Sequence, residues 1–194
     1  MPLEIVTIPC LSDNYAFLLH SAETGETAPV IQMGVGLNTG QCSVGNMGSE
    51  HRFDYSVLGD SVNVAARLEG QTKAYGLDIL LGEDTARAIS GLAFLEIDLI
   101  IVKGKTKPIS IFALLGDEIM AQSEDFKTLV ATQAHFLKAY RKQSWEEAET
   151  HVKPCRKLAP ELSLLYNIYA ARISEYRTTP PPKDWDGTFV ALSK

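Results

Sequence analysis

The stretch Gly34–Glu69, GVGLNTGQCSVGNMGSEHRFDYSVLGDSVNVAARLE, limits what this chain can fold into more than any other. Val35 and Leu37 alternate with glycines ahead of Asn38-Thr39-Gly40, and Cys42 and Val44 continue the alternation. That pattern predicts a β-hairpin. Gly45–Asp54 is dense in Gly, Asn, Ser and charge and reads as a surface loop. Phe53–Leu58 then reads as a short, half-buried strand. Gly59-Asp60-Ser61 opens a helix, with Asp60 or Ser61 as the N-cap before the run Val62–Leu68, and Gly76 is a fitting C-terminal stop.

On this helix Asn63 and Arg67 stand four residues apart and therefore share a face. Val62, Ala65, Ala66 and Leu68 supply apolar and small surface for packing. Spacing alone leaves two readings of the polar pair. An amide and a guanidinium so placed can act together on one anion, because arginine offers a rigid fork of donors. Equally, Arg67 can pair with Glu69 or another carboxylate while Asn63 is merely solvated.

Further along, Leu77–Leu81 is a strand, Gly82–Thr85 caps a short helix, and Phe94–Val102 and Ile109–Leu114 are two more strands. The loop between them, Lys103-Gly104-Lys105-Thr106-Lys107-Pro108, is either a solvated basic turn or a phosphate contact. Residues 117–194 are helical. Phe126, Leu129, Phe136, Leu137 and Tyr140 fall at helical spacing; Trp145, Ala148, His151 and Val152 begin a second helix. Pro160-Glu161 opens a third, and Pro180–Pro182 end it, leaving an extended tail. The helix pair resembles a tetratricopeptide unit, without a repeat. The aromatic side chains of this part read as core.

The first thirty residues carry Leu3–Ile8 and Tyr15–Leu19 as strands of a hairpin-like unit. A net charge of −6 and 45% hydrophobic residues describe an ordinary globular chain and give no support for nucleic-acid binding. No apolar run approaches the roughly 20 residues of a membrane span, and no signal peptide is recognisable. Three cysteines, Cys10, Cys42 and Cys155, lie scattered without metal spacing. Reduced thiols and a cytoplasmic location are the expectation.

The strings GVGLNTG, VGNMGS, FDYSVLGDSVNVAARLE, YGLDILLGEDT and VKGKTKPISIFAL, collinear from Met33 to Leu115, resemble the C-terminal half of a class III nucleotide cyclase domain. The resemblance implies an α+β fold: a partial ferredoxin-like cyclase domain followed by a tetratricopeptide-like helical segment. It implies synthesis of a 3′,5′-cyclic nucleotide from ATP, or GTP, at a site shared by two halves of a head-to-tail dimer. By that resemblance Asn63 orients the ribose, Arg67 stabilises charge on the transferring phosphate, Ser56 meets the purine edge and Lys103 contacts the terminal phosphates. The Mg²⁺ or Mn²⁺ of the family requires two aspartates that precede the matching region, and no counterpart is found between Met1 and Gln32. Asp13 lies in a foreign segment. Residues 1–30 resemble the N-terminus of glyoxalase II, whose zinc signature has no match among His20, His51, His135 and His151. The expected parts are therefore 1–30, 31–116 and 117–194, joined as a fusion or a rearranged gene model. The chain is expected to be inactive alone and to complement an intact cyclase chain; the alternative is a non-catalytic interaction module using the C-terminal helices.

Overall fold

A computed structural model describes residues 3–10, 14–21, 27–31, 33–49, 52–102 and 105–191, with side chains for 33–45, 56–102 and 105–191. The chain divides into two compact units, Met1–Gly34 and Val35–Lys194. In the first, β1 (Leu3–Cys10), β2 (Asn14–Ser21) and β3 (Thr27–Ile31) form an antiparallel meander. Its registers run from Leu3 opposite Ser21 to Cys10 opposite Asn14, and from Ala16 opposite Ile31 to His20 opposite Thr27.

The second unit is a mixed α+β body. Its five-stranded sheet has the order β10-β8-β9-β7-β4. The strands are β4 (Val35–Leu37), β7 (Ile79–Gly82), β8 (Ala93–Ile101), β9 (Ile109–Gly116) and β10 (Phe189–Val190). Central pairs β7/β9 and β8/β9 are antiparallel, while the outer pairs β4/β7 and β10/β8 are parallel. A separate ribbon pairs β5 (Ser43–Ser49) with β6 (Arg52–Leu58).

The expected hairpin between Val35–Leu37 and Cys42–Val44 does not form. Val35, Gly36 and Leu37 instead lie beside Ile79, Leu80 and Leu81 in parallel. The turn residues between have other work: Asn38 Nδ2 donates to the Ser61 carbonyl at 3.2 Å, and Thr39 Oγ1 lies 3.0 Å from Thr85 Oγ1. They anchor two helices rather than reverse the chain. The segment read as a loop, Gly45–Asp54, is mostly strand, from Ser43 opposite Leu58 to Ser49 opposite Arg52. Its polar composition suits a two-stranded ribbon, which buries little and relies on its backbone ladder.

Helix α1 (Asp60–Tyr75) follows β6, and Gly76 closes it in the left-handed region at φ 66°, donating to the Lys73 and Thr72 carbonyls. The N-cap is Gly59, with no side-chain capping bond. Neither Asp60 nor Ser61 serves, because both lie inside the helix and the Ser61 hydroxyl donates to the Gln41 carbonyl at 3.3 Å. Val64, Leu68, Gln71, Thr72 and Tyr75 form the buried face. After α2 (Glu83–Ala88) and the β8/β9 hairpin come α3 (Glu118–Gln122), α4 (Glu124–Arg141), α5 (Trp145–Leu158) and, after a 3-10 turn at Pro160–Leu162, α6 (Ser163–Thr178). Ser123 caps α4 by accepting from the Phe126 amide.

These helices share the core of the sheet. Leu80, Leu95, Ile97, Ile100 and Ile111 from the strands are buried in one cluster with Phe136, Tyr140, Tyr166, Tyr169 and Ile173 from the tail. The Phe136 and Tyr169 rings meet edge to face at 4.7 Å, Tyr140 and Tyr169 at 4.8 Å, and Tyr140 and Trp185 at 5.4 Å. Polar contacts reinforce the seam. Gln133 Nε2 donates to the Glu96 carbonyl at 3.0 Å, and Arg141 Nη2 donates to the Glu96 carboxylate at 2.6 Å. The terminal stretch, expected as an extended tail, ends in β10, with the Ala191 amide donating to the Ile101 carbonyl at 3.0 Å. No helix among the described residues is long and apolar enough to cross a membrane.

Candidate active site

Helix α1 positions the candidate residues, and the sheet side positions α1. Gly36 sits directly beneath it: a Cβ there would run into the Ala65 carbonyl oxygen and the Glu69 amide nitrogen. Only a residue without a side chain lets the helix come this close. Gly40 is equally tight against Ser61, and Asn38 holds the Ser61 carbonyl. The first two turns of α1 thus rest on β4 and the loop that follows it.

On that seated helix Asn63 is exposed and Arg67 is half-buried. The two occupy the same face one turn apart, as their spacing predicts. Arg67 Nη1 is buried and meets no hydrogen-bond partner among the described residues. A buried guanidinium nitrogen left unpaired is costly, on the order of 1–3 kcal/mol, so its retention calls for an acceptor that the described residues do not supply. Ser56, half-buried on β6 opposite Gly45, stands three residues ahead of Gly59. Lys103 lies outside the described residues. Its neighbour Lys105 makes an ion pair with Asp60 at the start of α1. Lys105 of the basic loop therefore reaches the end of α1 that carries Asn63.

Sequence reasoning missed a second cluster, at the other end of α1. Tyr75 donates its hydroxyl hydrogen to Asp98 Oδ2 at 2.7 Å, and Arg172 Nη1 donates to the same oxygen at 2.6 Å. Arg172 Nη2 donates to the Tyr75 oxygen at 3.3 Å, and the Leu99 amide donates to Asp98 Oδ1 at 2.8 Å. The guanidinium carbon lies 3.5 Å from the centroid of the Phe189 ring and 5.4 Å from that of Tyr169. All three polar members are buried. Burial, and then the negative charge of Asp98, push the Tyr75 phenol far above its usual value. Burial works against the charge on Arg172, but Asp98 and the neighbouring phenols overcome it and the net shift is upward. The signal for this cluster was present: Asp98 is a charge between Ile97 and Leu99 in the largely apolar run FLEIDLIIV, and Arg172 is a cation on the apolar helix LLYNIYAARI. A buried charge of each sign calls for a mate.

No group of three or more His, Cys, Asp or Glu among the described residues can hold a metal. Asp60, the carboxylate nearest Asn63 on α1, is paired with Lys105, and Asp98 is paired with Arg172. The described residues do not by themselves fit a metal centre.

The chain is similar to an adenylate cyclase of Anabaena cylindrica, 42% identical over 98 residues, covering 48% of this chain and 20% of that protein. It is also similar to the hydroxyacylglutathione hydrolase of Cereibacter sphaeroides, 77% identical over 30 residues, covering 16% of this chain and 12% of the hydrolase. Among solved structures, the adenylyl cyclase CyaB from P. aeruginosa is 32% identical, with a TM-score of 0.39, over 50% of this chain and 47% of that one. The chain spans a fifth or less of the length of the curated cyclases it matches. Residues 16–116, just over half of the chain, match the family described as the adenylate and guanylate cyclase catalytic domain. This chain therefore belongs to the adenylate and guanylate cyclase catalytic-domain family.

Proposed function

We propose that this chain supplies the transition-state-stabilising half of a class III cyclase site and needs a second, intact cyclase chain to supply the metal-binding half. The observation that carries the proposal is the half-buried Arg67, with Nη1 unpaired, one turn from the exposed Asn63 on a helix seated tightly over Gly36. In the reaction the ribose 3′-hydroxyl loses its proton, its oxygen bonds the α-phosphorus, and the bond from that phosphorus to the bridging oxygen breaks to release pyrophosphate. Negative charge spreads over the phosphoryl oxygens in between. A guanidinium fixed before the reaction stabilises that charge without reorganising. The Asn63 amide orients the ribose, Ser56 takes the purine edge as donor or acceptor, and Lys103 neutralises the terminal phosphates. ATP is favoured over GTP, and the pairing is head to tail.

Residues 1–30, 31–116 and 117–194 are proposed as the parts of this arrangement, with the α4–α5 pair and α6 supporting a tetratricopeptide-like description of the last. The experiment is cyclic-nucleotide synthesis by the purified chain with Mn²⁺ and ATP or GTP. It is run alone, and with a cyclase chain whose own equivalents of Asn63 and Arg67 have been removed. No product alone and product on mixing is the expected result. Turnover by the isolated chain, abolished by Arg67→Ala, would overturn the need for a partner. No product on mixing would overturn the cyclase role itself.

A further inference from the structure

Helix α1 is held at two places of different origin. Its first turns rest on Gly36 and on the Asn38 and Gly40 contacts to Ser61, all within the family-matched residues. Its last turn is held by the tail. Tyr75 is tied to Asp98 and Arg172, and Gly76 lies under Leu164, whose Cδ2 would be 2.8 Å from a Cβ there. Arg172 and Leu164 both belong to α6, beyond the end of the family match at residue 116. We propose that Arg172 and Tyr75 are positioning residues through which the C-terminal helices set the orientation of α1, and with it the placement of Asn63.

Helix α1 acts as a lever. At 1.5 Å rise per residue, Tyr75 lies roughly 12 Å beyond the Gly36 crossing, which is centred near Arg67, and Asn63 lies roughly 6 Å before it. If the far end is released, the helix pivots on the crossing, and each ångström of drift at Tyr75 becomes roughly half an ångström at Asn63. A misplacement of about 1 Å in a catalytic group can cost about 10²-fold in rate, so half that displacement matters. The tie is also selective. Its polar atoms are buried, its ion pair is desolvated, and Phe189 of β10 closes over the guanidinium. Drift of α6 or β10 relative to the sheet would therefore be felt by α1.

This inference rests on the cyclase reading only for its catalytic consequence, and its test separates the two. Tyr75→Phe keeps the ring in the core and the Asp98–Arg172 pair intact while cutting the bond to α1. Residue-resolved hydrogen exchange on the full chain should show the amides of Val62–Leu68 exchanging about tenfold faster, with the core amides of β8 and α6 unchanged. Unchanged exchange in α1, or equal acceleration in α1, β8 and α6, would overturn the proposal. The second readout is cyclic AMP synthesis in the mixed-chain assay. Tyr75→Phe should lower kcat about tenfold with KM for ATP retained, and Arg172→Lys should retain more kcat than Arg172→Met. Wild-type kcat in Tyr75→Phe would overturn the positioning role. If the wild-type chain gives no product on mixing, the cyclase reading fails and the exchange experiment alone decides the fixing of α1.

Discussion

The hydroxyl of Tyr169 donates to the backbone carbonyl of Ile97 at 2.8 Å, joining α6 to the middle of β8 across 72 residues of sequence. Tyr169 is fully buried, as is Ile97. Together with the Gln133 bond to Glu96 and the Arg172 bond to Asp98, it ties three consecutive residues of β8 to the tail.

A chain ended at Gly116 is therefore expected to lose the fold of its sheet. Truncation exposes Leu95, Ile97 and Ile100 and leaves Asp98 without Arg172; removing one partner of a buried pair costs about 3–5 kcal/mol on its own. Most domains have only about 5–15 kcal/mol in hand. Circular dichroism and gel filtration of residues 1–116 check this, and a soluble, cooperatively unfolding fragment would refute it.

Gly36→Val is expected to unseat α1. The added side chain meets backbone, the Ala65 carbonyl and the Glu69 amide, which cannot rotate away. Overpacking of this kind typically costs about 1–3 kcal/mol. The denaturation midpoint should fall and complementation should be lost, whereas Gly45→Ala, with open space around its position, should change neither.

Arg67→Leu should separate stability from function. Its Nη1 is buried without a partner among the described residues, so removing it relieves a desolvation cost. Urea denaturation should show equal or higher stability, while cyclic-nucleotide synthesis with a complementing chain falls by about 10²–10³-fold. A marked loss of stability would mean that Arg67 is a structural residue.

Alkaline pH should unfold the protein through its tyrosines. Burial, the largest cause at each, raises the phenols of Tyr75, Tyr140, Tyr166 and Tyr169 above the ordinary value. The folded state holds these protons more tightly than the unfolded chain, whose phenols titrate near pH 10. Their contribution to stability is thus complete below about pH 10 and is lost as the pH rises beyond it. Tyrosinate absorbance from these four should appear only with the loss of helical circular dichroism. Early titration at constant helicity would contradict it.

The sequence made α1, β8, β9 and the three long tail helices legible, because each carries its own period or its own stop, as Gly76 does for α1. Asn63 and Arg67 were placed on one face for the same local reason. What stayed hidden depends on partners distant in the chain. Val35–Leu37 offered an alternating pattern that a hairpin satisfies, and nothing local announces that Ile79–Leu81 is its neighbour. Asn38 and Thr39 looked like turn formers, and their side chains bond residues 61 and 85. Asp98 and Arg172 lie 74 residues apart in the chain, and only the fold brings their side chains to 2.6 Å.

Among the described strands of the sheet, the one beside β8 at the edge comes latest in the chain. β10 cannot lie against Ile100 and Ile101 until residues 189–190 have left the ribosome, and Arg172 cannot reach Asp98 much sooner. During synthesis β8 waits with an open edge and an unmatched carboxylate while the helices are completed. Pairings this remote fold slowly and leave apolar strands uncovered in the meantime. The yield of native protein should therefore depend on how translation proceeds after residue 116 and on the chaperones that hold the nascent sheet.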